Sequence, residues 1–99
     1  MSEKKPKERK RQILDEAVKF AQSAGYLNVT REELARRCDC STGVINLHFG
    51  TMKQLRRAIM SAAVARRNLK IIAQGLAIGD SKAQSASPEL KREAVEGLL

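Results

Sequence analysis

Both cysteines and the only histidine of this 99-residue chain lie in one stretch, CDCSTGVINLHFGTMKQL, at residues 38–55. Three chemistries could use them: a thiolate–imidazole metal site, a Cys–His nucleophile pair, or packing without any reaction. A metal is poorly served. One residue separates Cys38 from Cys40, whereas zinc-finger spacings place at least two between the thiols. His48 brings the ligands to three at most, and no second cysteine pair completes a tetrahedron. A disulfide across Cys38-x-Cys40 would be strained.

Catalysis fares no better. A thiol activated by a histidine needs a substrate pocket, and the chain offers neither a glycine-rich phosphate loop nor residues to wall one. The acids Asp15-Glu16 and Glu32-Glu33 are adjacent; on a helix they splay apart, as solvated faces and caps do. A reduced cysteine behaves as a small hydrophobe. Cys38 is therefore expected to close a helix's apolar face and Cys40 to fill a turn. No metal, no cofactor and no enzymatic activity are expected.

The elements around this stretch are helical. Low aromatic content with abundant Ala, Leu, Lys, Arg and Glu favours helices over strands. Ninety-nine residues with 42% hydrophobic side chains support one small domain. The formal charge is +8, and it is unevenly placed. Residues 1–70 hold sixteen basic and seven acidic side chains, residues 71–99 three and four. A basic first two-thirds suggests a polyanionic partner, nucleic acid ahead of membrane. No apolar run has the length of a signal peptide core or a membrane span, so a cytoplasmic protein with reduced thiols is expected.

Residues 1–7 read as a basic arm and residues 8–61 as one helical unit. Ile13, Leu14, Ala17, Val18, Ala21 and Ala24 form an apolar stripe widened by Phe20, and Gly25 ends the helix. Thr30-Arg31-Glu32-Glu33 matches a capping box opening a short helix to Cys38, with Leu34, Ala35 and Cys38 inward. Ser41 caps the next helix, Thr42 to Phe49, after the turn Asp39-Cys40-Ser41. Thr51-Met52-Lys53-Gln54 is a second capping box, and it starts what reads as the longest helix. Met52, Leu55, Ile59, Ala62, Leu69, Ala73 and Leu76 recur along that helix in steps of three and four, interrupted at Arg66. Gly75 and Gly79 bracket its end, GDSKAQSAS reads as a linker, and Ser87-Pro88 opens a last helix.

A short helix, a three-residue turn and a second short helix make a helix-turn-helix. The second helix begins with Ser41, Thr42 and Gly43, where glycine costs helix stability and needs a compensating gain, such as close approach to a phosphate. Its outer face presents Thr42, Val44 and Asn46 to base edges while Ile45 and Phe49 turn inward.

Residues 11–55, RQILDEAVKFAQSAGYLNVTREELARRCDCSTGVINLHFGTMKQL, resemble the N-terminal DNA-binding domain of the TetR family of bacterial repressors in gap-free register. Gly25-Tyr26, Thr30, Leu34-Ala35, Ser41-x-Gly43, His48-Phe49 and Leu55 carry the resemblance. It implies that Thr42, Gly43, Val44 and Leu47 enter the major groove while Asn46, His48 and the start of the fourth helix grip the backbone. The chain departs from the pattern at Arg31 (usually apolar), Asp39-Cys40 (usually Gly-Val), Asn46 (usually aromatic) and Met52 (usually lysine, here displaced to Lys53).

Together these readings assign base contacts to Thr42, Gly43, Val44, Asn46 and Leu47. Backbone contacts fall to Thr30, Ser41, His48, Thr51 and Lys53, and to the basic residues Lys4, Lys5, Lys7, Arg9, Lys10 and Arg11. The expected fold is all-α: a TetR-like helix-turn-helix unit of three helices, a long fourth helix and a short C-terminal helix. Residues 62–99 are expected to dimerise it, through Leu69, Ile72, Ala73 and Leu76 and through Leu90, Ala94 and Leu98. The family's usual effector-binding domain is expected to be absent. The expected function is a homodimeric repressor on a palindromic double-stranded DNA operator, without a small-molecule inducer and without a membrane partner. The alternative is a protein-interaction module, antirepressor or adaptor, built on the same fold.

Overall fold

Hydroxyls fix four of the helix starts, where the sequence places them, the last through Ser87 Oγ, which accepts the Leu90 amide at 3.1 Å. Thr30 Oγ1 accepts from the Glu33 amide at 3.3 Å, Ser41 Oγ from Val44 at 3.3 Å and Thr51 Oγ1 from Gln54 at 3.2 Å. The Thr51 box is complete, because Gln54 Oε1 accepts the Thr51 amide at 2.8 Å. The Thr30 box is not. The Glu33 carboxylate turns to the guanidinium groups of Arg36 and Arg37, since a charged donor is a stronger partner than a neutral amide. Its hydrogen bond from Arg36 holds the Glu33 carboxyl below the usual range.

The computed structural model describes residues 5–97. They form α1 (Pro6–Ala24), a single 3-10 turn (Tyr26–Asn28), α2 (Arg31–Arg37), α3 (Thr42–Phe49) and α4 (Met52–Ala65). Then come α5 (Leu69–Ala77), α6 (Ser81–Gln84) and α7 (Pro88–Glu96). No strand occurs among the described residues, so the all-α class holds. Helix α1 begins at Pro6 rather than near Glu8, because a proline at the first position has its φ preset and no amide to leave orphaned. Lys7, Arg9, Lys10 and Arg11 are thus helical, and α1, not α4, is the longest helix.

One core runs through the whole chain. Ile13, Ala17 and Ala21 of α1, Leu34 of α2, Ile45 of α3 and Leu55 and Ile59 of α4 are fully buried, and so are Ile71, Ile72 and Ala83 further on. The boundary expected between residues 61 and 62 falls inside α4, and the core passes across it.

The C-terminal third differs from its sequence reading in three ways, each with a local cause. The expected continuous helix from Met52 to Leu76 breaks at Arg66–Asn68. Arg67 adopts φ +55, the Asn68 amide donates to the Ala63 carbonyl at 2.8 Å and the Arg67 amide to Val64 at 3.2 Å. This is the closed turn usually built with glycine at the left-handed position. Asn68 then caps α5 through the Ile71 amide at 3.2 Å, and α5 folds back against α4 and α1.

Second, the stripe expected to await a second copy is covered by the chain itself. Helix α7 lies on α5, burying Ile72, Ala73, Leu90 and Ala94, with Leu69 and Leu76 partly buried against the same core. Ile72, Ala73, Leu90 and Ala94 are thus buried within the chain itself, and Leu98 lies outside the described residues.

Third, the expected linker contains α6, capped by Asp80, with Ala83 and Ala86 buried. Gly75 and Gly79 bracket the end of α5 at Ala77 as expected, and Gly75 in its last turn has a steric role besides. A Cβ there would stand 2.5 Å from Met60 Cε and 2.7 Å from Ala83 Cβ, so its absence lets α4, α5 and α6 close on one another.

Tyr26 locks the two halves of the chain. Its amide donates to Gln74 Oε1 at 2.9 Å and its hydroxyl to Asp80 Oδ2 at 3.2 Å. Burial, then the Asp80 charge and hydrogen bond, push the phenol up to about 12. A folded value above the unfolded one near 10 means the stabilisation is fully present below pH ~10 and is lost as pH rises to ~12. The stability of the wild type relative to Tyr26→Phe should therefore fall by roughly 2 kcal/mol between pH 9 and 12. Parallel denaturant titrations of the two proteins across that range measure it, and a constant difference would show that the phenol is not held protonated.

Candidate nucleic-acid interface

Helix α3 is held by its inner face and offers its outer one. Ile45 and Phe49 are buried, and Val44 packs partly against the core. Thr42, Gly43, Asn46 and Leu47 are exposed, Leu47 by 80%, although an apolar side chain so placed does nothing for folding. Of the base-contact set, four residues thus share one accessible face and Val44 lies at its edge.

The turn before α3 aims it. Asp39 takes φ +53, with the Cys40 amide donating to Ala35 at 3.0 Å and the Asp39 amide to Arg36 at 3.2 Å. Aspartate tolerates this left-handed conformation better than most side chains, which explains how Asp39-Cys40 replaces a glycine turn. Cys38 is buried in the core beneath that turn, and Cys40 is half-buried against it. Among the described residues no three His, Cys, Asp or Glu side chains gather as metal ligands would.

The backbone-contact set surrounds α3. Thr30, Ser41 and Thr51 are exposed caps whose oxygens accept helix amides, which leaves each O–H free to donate to a phosphate. His48 is half-buried in the last turn of α3. At the start of α4, Met52 packs toward the core while Lys53 points to solvent. The displaced lysine is therefore the exposed one.

Helix α1 delivers part of the basic set to the same side. Lys10 Nζ lies 5.6 Å from the centroid of the Phe49 ring, at the end of α3. Arg9 Nη1 donates to the Cys38 carbonyl at 3.0 Å and to Gln12 Oε1 at 2.9 Å. Arg9 thus ties α1 to the turn, while Lys5, Lys7 and Arg11 are exposed; Lys4 lies outside the described residues.

Two contributors were not assigned from sequence. Arg31 Nη1 donates to Asn46 Oδ1 at 2.8 Å, joining the start of α2 to the outer face of α3. Arg56 Nη2 donates to the Leu27 carbonyl at 3.3 Å, beside a shallow groove that Thr30 and Arg31 also line. Only the adjacency of Lys53, Arg56 and Arg57 hinted at the latter.

Residues 13–59 match the family model described as bacterial regulatory proteins, tetR family. They form a TetR-family helix-turn-helix domain. The match spans α1 from its first buried residue, Ile13, to Ile59 in α4, which is the unit that holds α3 in place. TetR-family proteins are DNA-binding transcription regulators. No curated protein and no solved structure matches the chain.

The two thiols, in this TetR-family unit, are packing groups with different expected costs. Cys38→Ala should lose about 1–2 kcal/mol by leaving a small cavity in the core. Cys40→Val, at a half-buried site, should change stability by under ~1 kcal/mol. A chelator should leave the melting temperature of both, and of the wild type, unchanged. A chelator-induced drop in the wild type alone would mean that these thiols hold a metal.

Proposed function

We propose that the protein is a sequence-specific repressor that binds a palindromic operator as a homodimer, through α3 in the major groove. Gly43 carries this reading. Its φ is not in the left-handed region, and a Cβ built on it would meet only Ser41 Oγ, at an ordinary 3.5 Å. Nothing inside the fold requires glycine there, and glycine weakens a helix by up to ~1 kcal/mol relative to alanine. A requirement for a bare backbone then comes from outside, from a surface pressed against the start of α3.

The surrounding chemistry favours nucleic acid as that surface. Cap hydroxyls, Lys10, Lys53 and the amides opening α3 all suit phosphate. One eight-residue reading helix covers too little DNA for tight specific binding, which favours two copies on half-sites about one helical turn apart. The copies would meet on surface that α5 and α7 leave exposed, where Val95 is 48% accessible. Helices α5, α6 and α7 use Ile71, Ile72, Ala83 and Leu90 to fill the core, which supports action without an enclosed inducer. A domain of this size represses most simply by occupying promoter DNA.

Salt-titrated binding to a duplex selected from a random pool tests the proposal. The logarithm of the association constant should fall linearly with the logarithm of salt, by about 0.9 per phosphate contacted. Gly43→Ala should fold at least as stably as the wild type yet bind at least about tenfold more weakly. Normal affinity in Gly43→Ala would remove the docking geometry. Absence of any salt-dependent DNA binding would instead favour the protein-interaction alternative.

A further inference from the structure

We infer that Arg31 and Asn46 act as a single donor pair that selects guanine at one position of each operator half-site. The inference rests on the DNA-binding reading above and adds to it a residue from outside the reading helix. Arg31 is the first residue of α2, and its Nη1 donates to Asn46 Oδ1 on the outer face of α3 at 2.8 Å. That bond fixes which way the amide points. A guanidinium can only donate, so only the oxygen of Asn46 can face it, and the Nδ2 group must face the other way.

The consequence is a change in what Asn46 can read. An unpaired asparagine pairs with adenine bidentately, accepting from N6 with its oxygen and donating to N7 with its nitrogen. Here one lone pair of the oxygen is taken by a cation, which weakens it as an acceptor for adenine N6, and the pair turns outward mainly donors: the Nδ2 hydrogens and the remaining N–H groups of Arg31. Guanine is the base whose major-groove edge offers two acceptors, N7 and O6. Arg31 forms no ion pair among the described residues, so its charge is free to face a base or phosphate. It also lies beside Thr30, a cap hydroxyl of the same surface.

A purely structural role for the bond makes a different prediction, because it would change stability and leave base preference alone. Selection from a random duplex pool, run with wild type, Arg31→Met and Asn46→Ala, separates the two, with a thermal melt to confirm that each variant folds. The wild type should select guanine at one position per half-site. Arg31→Met frees the Asn46 oxygen and should convert that position to adenine, with a preference of about tenfold, the rest of the motif unchanged. Asn46→Ala should leave the same position without adenine preference and with guanine selection weakened by about tenfold. If both variants keep the wild-type guanine, the inference is overturned while the DNA-binding reading stands. If Arg31→Met does not fold, Asn46→Ala alone decides. A wild type that selects no motif overturns the DNA-binding reading, and this inference with it.

Discussion

Everything on the outer face of α3 depends on two side chains, Ile45 and Phe49, being buried. Helix α3 has eight residues, far too few to be helical in isolation. It exists because those two residues enter the core beside Leu34, Ile13, Leu55 and Ile59. With the inner face fixed, the outer face of Thr42, Gly43, Asn46 and Leu47 is presented in one orientation. The basic residues are tied to the same anchor. Lys10 sits over the Phe49 ring, and Arg9 grips the carbonyl of Cys38, the residue that ends α2.

The chain reverses direction by one backbone device used three times. Asp39, Arg67 and Gly79 each take a left-handed conformation just past a helix, with the following amide reaching back five residues. The first turn aims α3, the second folds α5 back onto α4, and the third delivers Asp80 to its two tasks. Asp80 caps α6 and accepts the Tyr26 hydroxyl. Through Tyr26 the C-terminal helices are coupled to the segment that leads into the helix-turn-helix. These helices act as a buttress for the DNA-binding unit as well as its continuation.

The legible parts of this fold were those set by short-range chemistry. Ser41 and Thr51 announce their helices because a hydroxyl before a helical run satisfies an amide three residues on, and the bounds of α3 follow directly. The match to residues 13–59 and the all-helical class were likewise readable. What the sequence concealed was set by tertiary contact. Arg67 in a left-handed turn carries no glycine to mark the break, so two helices read as one. Gly75 marks the end of α5 as read, but its close packing depends on Met60 and Ala83 from other elements and was hidden. The stripe of Ile72 and Ala73 looked unpartnered only because the reversal that brings α7 onto it was hidden. On the outer face of α3, exposed positions followed from helical periodicity. The Arg31–Asn46 bond did not, since it joins residues fifteen apart across a turn of unforeseen geometry.

The central claim is that α3 reads the major groove, and dimethyl sulfate footprinting on a selected duplex tests it directly. The reagent methylates guanine N7 in the major groove and adenine N3 in the minor groove. Bound protein should protect guanine N7 in two patches whose centres lie about one helical turn, ~10 base pairs, apart. Protection confined to adenine N3, with every guanine N7 still reactive, would contradict it.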